Sequence, residues 1–191
     1  MSNLTFGFAM CGSFCTFTRV IEQMRRITEA GYTLLPIMSQ NAYTTDTRFG
    51  KANDFIWEVE DICHNKTIKS IVEAEPIGPK KMVDLMIVAP CTGNTLAKLA
   101  NGITDTTVTM AVKSNLRACR PVLLAVSTND ALAASAQNIG KLLNNKNIYF
   151  VPMKQDDPAN KPSSVVADFT MILPAALSAL EGKQMQPIFI S

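Results

Sequence analysis

Two uninterrupted apolar runs, Leu85-Met86-Ile87-Val88-Ala89 and Pro121-Val122-Leu123-Leu124-Ala125-Val126, restrict the fold more than any other feature of the chain. A strand with one wet face alternates apolar and polar residues, whereas a strand that is apolar throughout is covered on both faces. Such strands belong to parallel sheets held between helices. The segments between the runs supply those helices. After a first strand at residues 4–9, Phe14, Phe17, Val20, Ile21, Met24 and Ile27 recur at helical spacing, and Gly31 follows as a stop. Residues 32–38 form a second strand, which Pro36 assigns to a sheet edge or a frayed end. Residues 45–72 hold one or two helices. The run at 85–89 is the third strand, followed by helices at 92–100 and 106–118. The run at 121–126 is the fourth strand, followed by a helix at 129–144, a fifth strand at 147–151 and a closing helix at 163–180. This alternation predicts right-handed crossovers and a mainly parallel sheet. The expected architecture is α/β, a three-layer Rossmann or flavodoxin-like sandwich, as one domain over residues 1–191.

Composition narrows the function classes. Apolar residues make up 47% and charged residues 18%, the balance of a globular chain and not a disordered one. A net charge of +2 with no arginine-rich stripe excludes a nucleic-acid footprint. No apolar stretch approaches the roughly 20 residues of a membrane helix. The N-terminus lacks the basic start and long apolar run of a signal peptide. Cys11, Cys15, Cys63, Cys91 and Cys119 form no CxxC pair, an odd and scattered set that predicts reduced thiols in a cytoplasmic setting. With a single histidine, His64, in a charged surface region, no metal site is predicted. Met38, Met82, Met86 and Met110 read as core filler.

Chemistry-bearing residues collect where the strands end. Cys11-Gly12-Ser13 places a glycine and a hydroxyl at a helix start, where free N–H groups and the dipole favour an anion. The same residues also make an ordinary tight turn with a serine cap. The loop is not GxGxxG and by itself does not argue for a dinucleotide. After the third strand, Pro90-Cys91-Thr92-Gly93-Asn94-Thr95 carries two hydroxyls, an amide, a thiol and a glycine where a helix start needs one capping residue. Thr92 is the expected N-cap, Gly93 permits close approach of a ligand, and Asn94 offers both donor and acceptor. Cys91 has no histidine near it in sequence and is not read as a nucleophile. Ser127-Thr128-Asn129-Asp130 repeats the arrangement after the fourth strand. Polar strand ends on one edge of a parallel sheet mark a ligand site. Finally, Lys154, Gln155, Asp156, Asp157, Lys161 and Ser163 crowd the segment before the closing helix, either as a solvated loop or as groups that hold a dianionic substrate.

Pro90, Asn94, Thr95, Lys98, Ala100, Asn101, Gly102 and Asp105 together resemble the strand–loop–helix signature of the flavin-dependent cysteine decarboxylase-type flavoproteins. Cys91 and Thr92 replace an alanine and a serine, and this Pro-Cys-Thr version also resembles the flavin prenyltransferase branch. Gly12 and Ser13 match that family's first phosphate loop, and Ser39 matches its serine after the second strand. Asn129 stands where the family has Pro-Ala-Met-Asn, although Val126, Ser127 and Thr128 differ. The resemblance covers nearly the whole chain. It implies a Rossmann-like flavoprotein fold and a homo-oligomer, usually a trimer or a multiple of one. It also implies FMN across the strand ends, with its phosphate near Gly12, Ser13 and Ser39 and its ring near Pro90, Cys91, Thr92, Asn94, Thr95 and Asn129.

Within that family, the chain length, the Cys11–Phe17 start and residues 151–164 are similar to a branch that works with an NADP-binding partner. The similarity implies oxidation of a dihydro- or hydroxytetrahydro- precursor, drawn from lysine biosynthesis, to a pyridine dicarboxylate in the mother cell of a sporulating bacterium. On that reading Lys154, Gln155, Lys161 and Ser163 bind substrate, with Lys113 or Arg117 as further cations, and Asp156 or Asp157 is the candidate for acid–base work. Decarboxylases of the family use a histidine shortly before the third strand; here Pro76 stands at that point, which argues against decarboxylation. The alternatives are a decarboxylase or prenyltransferase-like flavoprotein acting alone, and a non-catalytic accessory protein of the complex.

Overall fold

The computed structural model describes residues 4–190. In chain order the elements are β1 (Thr5–Met10), α1 (Phe17–Glu29), β2 (Thr33–Met38), α2 (Gln40–Thr44), α3 (Ala52–Cys63), α4 (Ile71–Ala74), β3 (Leu85–Cys91), α5 (Gly93–Ala100), α6 (Thr107–Arg117), β4 (Val122–Thr128), α7 (Ala136–Leu143), β5 (Ile148–Phe150), β6 (Met153–Lys154), β7 (Val165–Ala167) and α8 (Ile172–Leu180). Strands β2, β1, β3 and β4 lie side by side and parallel. The far side of β4 is shared. β5 pairs parallel with its first half, at Val122–Leu124, and β7 pairs antiparallel with Ser127 and Thr128 at its end. β6 then adds antiparallel to β7. The chain winds outward in both directions from β1 and β3, so a crevice opens above the carboxyl ends of those strands.

The continuous apolar runs become strands covered on both faces, as expected. Leu85, Ile87 and Ala89 point into one core with Phe6, Phe8 and the buried faces of α1, α3 and α8. Met86 and Val88 point the opposite way, against α4, α5, α6 and α7. Helix α1 seats Phe17, Val20, Ile21, Met24 and Ile27 on the first face, each buried side chain contributing about 1.5–3 kcal/mol. It stops at Gly31, whose φ of 88° is the left-handed conformation that a helix end favours. Of the four methionines read as filler, Met38 and Met86 are fully buried, Met110 packs against the core in part, and Met82 is instead 37% exposed.

The second strand is the sheet edge that Pro36 predicted. That edge is sealed: Ile68 donates its N–H to the Pro36 carbonyl at 2.9 Å and accepts from Met38 N–H at 3.0 Å. At the opposite margin Met153 N–H donates to the Ile188 carbonyl at 2.9 Å, and Ile190 N–H donates to the Met153 carbonyl at 3.0 Å.

Several elements differ from the sequence expectation. The helix predicted over 129–144 begins only at Ala136, because the Asp130 carboxylate takes hydroxyls from Thr128 and Ser135 and folds 129–135 into turns. The closing helix begins at Ile172, not at 163. Val165–Ala167 becomes β7 because the end of β4 offers it an edge to pair with. Strands β3 and β4 also run further than their apolar runs, taking in Pro90 and Cys91, and Ser127 and Thr128 respectively. Among the described residues no helix is long and apolar enough to cross a membrane.

Candidate ligand cleft at the strand ends

β1 delivers the chain to Gly12 and Ser13. Ser13 takes the left-handed conformation, with φ 75° and ψ 50°, which a residue with a Cβ adopts only when its surroundings hold it there. The Ser13 carbonyl accepts the Thr16 N–H at 2.9 Å and the Thr16 hydroxyl at 2.8 Å. The Ser13 hydroxyl lies 2.8 Å from that of Ser127 at the end of β4. These residues floor a cleft of about 520 Å³ with Cys15, Arg19, Thr92, Thr128 and Asn129; Asp156, Lys161, Ser164, Val165 and Val166 form its far wall. A Cβ added at Gly12 would meet only the Thr92 methyl, at an ordinary 3.7 Å, so this glycine is not required by close packing.

The loop after β3 divides between packing and display. Thr92 caps α5, its hydroxyl accepting the Thr95 N–H at 3.4 Å and lying 3.2 Å from the Thr95 hydroxyl, and the residue lines the cleft. Thr95 is buried and donates to the Cys11 sulfur at 3.2 Å. Pro90 and Cys91, expected beside the flavin ring, lie buried within β3, and their side chains do not line the cleft. Burial pushes the Cys11 thiol up to about 11. Burial, with Cys11 beside it, holds Cys91 well above the ordinary thiol range, so both remain protonated. Gly93 does not open space for a ligand: a Cβ there would fall 2.7 Å from Thr128 Oγ1 and 2.8 Å from Asp130 Oδ1 and Ser135 Oγ. Asn94 lines an adjoining recess of about 490 Å³ with Gln137 and Asn138, and Thr128 and Asn129 border both spaces.

Of the expected substrate-binding side chains, Lys161 reaches the cleft. Its ammonium lies 3.7 Å from Asp156 Oδ2. The Ser164 hydroxyl, with a smaller effect from Lys161, holds the Asp156 carboxyl below the usual carboxylate range. The other members brace the segment. Gln155 Nε2 donates to the Pro162 carbonyl at 2.7 Å. The Asp157 carboxylate accepts from Asn160 N–H at 3.2 Å and from Asn160 Nδ2 at 3.0 Å. The Ser163 carbonyl accepts the Leu132 N–H at 3.0 Å. Lys154 is exposed on β6, outside the cleft lining. Lys113 and Arg117 border a separate groove beside α6 with Leu99 and Ile103. Ser39 caps α2 beyond β2, its hydroxyl accepting Ala42 N–H at 3.4 Å, and does not line the cleft. Asp156 is thus the one predicted acid–base candidate that faces the cleft.

Sequence reasoning missed Arg19, whose guanidinium carbon sits 5.0 Å over the Phe169 ring at the cleft edge. The available signal was its position in the first turn of α1, where a cation opposes the helix dipole. It also missed Cys15, Thr16, Ser164 and the β7 residues Val165 and Val166, because the last two were assigned to a helix.

A sheet wound outward from β1 and β3, with hydroxyls and cations around a cleft at its strand ends, defines an α/β protein with a candidate ligand cleft, and the chain belongs to the Flavoprotein family, whose model matches residues 1–173. Over 184 residues it is 42% identical to the B component of dipicolinate synthase from Bacillus subtilis (strain 168), a match that covers 96% of this chain and 92% of the relative. The crystal structure of the dipicolinate synthase B component from Bacillus halodurans C agrees with a TM-score of 0.91 at 41% identity, covering 100% of this chain and 99% of that one. The FMN-dependent cysteine decarboxylase TvaF from thioviridamide biosynthesis shares the fold, with a TM-score of 0.65 at 22% identity, covering 94% of this chain and 99% of its own. The family read from residues 90–105 is therefore the family found.

Proposed function

We propose that this chain is the B component of a two-part dipicolinate synthase, forming pyridine-2,6-dicarboxylate together with the synthase's A component, which carries NADP. The observation that carries the reading is its identity of 41–42%, over essentially the whole length, with the B component of dipicolinate synthase from two Bacillus species. The hydroxyl-floored cleft gives that identity a physical counterpart, since its volume of about 520 Å³ is within the usual range for small-molecule sites.

FMN fits the residues present. Two serine hydroxyls carry two hydrogens, and one lies between Ser13 and Ser127; the second, which meets at most the Cys15 sulfur at 4.0 Å, would donate to a ligand oxyanion. Ser13 and the backbone after Gly12 would hold the phosphate, and Thr92, Asn94 and Asn129 would border the ring. The flavin, or the NADP of the A component, supplies the acceptor for the two electrons that leave when a dihydropyridine becomes aromatic. A hydroxytetrahydro precursor must lose water before that step; the dihydro form then loses a hydride and a proton. The chain's own contribution is to hold the ring dicarboxylate with Lys161 and the floor hydroxyls, and to keep bulk water off one ring face with Val165 and Val166. On this reading Asp156, whose charge Ser164 and Lys161 stabilise, would take the proton.

The test is co-purification with the A component, followed by an assay for dipicolinate with each component omitted in turn, with and without FMN. The reading requires that product form only when both components are present. Full activity from the A component alone would make this chain an accessory protein, the second reading, which draws on Asp156 being the one carboxylate among the described cleft residues. Decarboxylation of a cysteine-ended substrate by this chain alone would overturn both. The working setting is the cytoplasm of a sporulating mother cell, and the working form a homo-oligomer, a trimer or a multiple of one.

A further inference from the structure

The cleft contains two cations, and they are not equivalent. Lys161 faces Asp156, so its charge is already balanced within the wall. Arg19 has no carboxylate partner among the described residues. Asp168, the residue before Phe169, is engaged elsewhere, accepting the Thr170 N–H at 3.0 Å and the Thr170 hydroxyl at 2.6 Å. Arg19 stands in the first turn of α1, where the helix dipole disfavours a cation. Its guanidinium rests over the buried Phe169 ring, 5.0 Å from the centroid. An aromatic face holds an arginine plane in one orientation while leaving its N–H edges free to donate. The hydroxyl-bearing residues Ser13, Thr16 and Ser127 line the same cleft as Arg19.

We infer that Arg19 is the anion anchor of the cleft, with Phe169 as its platform, and that it receives an oxyanion of the bound ligand through its guanidinium fork. The shared chemistry is a flat or tetrahedral group of anionic oxygens, either the phosphate of FMN or a ring carboxylate of the dicarboxylate. The inference rests on the functional reading above, which supplies those two ligands.

Full-length Arg19→Gln and Arg19→Lys chains are titrated with FMN, with riboflavin, which lacks the phosphate, and with pyridine-2,6-dicarboxylate. Flavin fluorescence and calorimetry give the affinities, and thermal melting confirms equal folding, as expected for an exposed side chain. Charge-assisted hydrogen bonds of this kind correspond to a loss of roughly 10- to 100-fold in affinity. In Arg19→Gln that loss falls on FMN with riboflavin unchanged if the anchor holds the phosphate, and on the dicarboxylate if it holds a carboxylate. Arg19→Lys recovers part of the loss, since it keeps the charge without the fork. Arg19→Gln affinities equal to those of the unaltered chain for both anions overturn the inference. An unaltered chain that binds neither FMN nor the dicarboxylate overturns the functional reading instead.

Discussion

The hydroxyls of Ser13 and Ser127, 2.8 Å apart, join two strand ends that are 114 residues apart in the chain. One is in the turn after β1 and the other at the end of β4, so the pair sets the width of the cleft floor. Removing either hydroxyl leaves the other without its partner, and the two losses are not independent. Ser13→Ala and Ser127→Ala are each expected to weaken FMN binding by about tenfold, on the order of 1–1.5 kcal/mol for one hydrogen bond. The double variant should be little worse than either single one. A double-mutant cycle on FMN affinity measures this, and simple additivity would show that the pair does not act as a unit.

Gly93 is a packing glycine. Its missing Cβ is the space occupied by Thr128, Asp130 and Ser135, all closer than 3 Å to where that carbon would stand. Gly93→Ala should cost about 1–3 kcal/mol through overpacking, a fall in Tm of roughly 3–10 °C for a chain of this size. The displaced network also positions Asn129, so ligand affinity should fall with stability. Gly78→Ala should be worse, because its Cβ would fall on the Ser114 carbonyl, a backbone atom that cannot rotate away. Calorimetric melting of both variants tests the ranking.

The parallel core was legible because Leu85–Ala89 and Pro121–Val126 have no polar residue to turn toward water. The antiparallel strands were not, since Met153–Lys154 and Val165–Ala167 are two and three residues long, too short to show a period, and are specified by the edge that β4 offers. The polar strand ends were legible as a site, but not how their work is divided. Thr92, Ser13 and Asn129 face the cleft, whereas Cys91, Thr95 and Gly93 are consumed in holding strands and loops together. Lys154 and Lys161 looked alike in sequence; only the turn from Asp156 to Ser164, closed by the Lys161 N–H on the Asp157 carbonyl at 2.7 Å, brings one of them inward. Arg19 escaped because its helix was read for the face it buries.

The five thiols should separate into two classes. Cys15 and Cys119 are exposed, and Cys11, Cys63 and Cys91 are buried. Burial pushes Cys63 up to about 12 and Cys11 up to about 11, so neither supplies thiolate at neutral pH. A thiol reagent at pH 8 should label Cys15 and Cys119 in the folded protein and the other three only after denaturation. FMN should slow labelling of Cys15, which lines the cleft, and leave Cys119 unaffected. Mass spectrometry of the labelled peptides reads both results.

Asp156 predicts an acid-side change in stability. Its folded-state pKa is depressed, first by the Ser164 hydroxyl and then by Lys161. The stabilisation is therefore complete above the unfolded value of about 3.9 and is lost as pH falls through the lower folded value. With 33% of the side chain exposed, solvent screening keeps it below about 1 kcal/mol. The Tm gap between the unaltered chain and Asp156→Asn should be constant from pH 5 to 7 and close below pH 4. The same ionisation means that Asp156 contributes no acid limb to a pH–rate profile near neutrality.

The outer strands of the sheet are met from within the chain, β2 by the stretch at Ile68, β5 by the Gln184 side-chain amide on the Phe150 backbone, and β6 by the stretch at Ile188 to Ile190. Open strand edges are the surfaces through which β-rich proteins template fibrils and recruit foreign strands. With those edges met, copies of this protein that accumulate in one compartment find little free backbone ladder to extend among the described residues. Contact between them is left to helix surfaces, where side chains decide which neighbour is accepted.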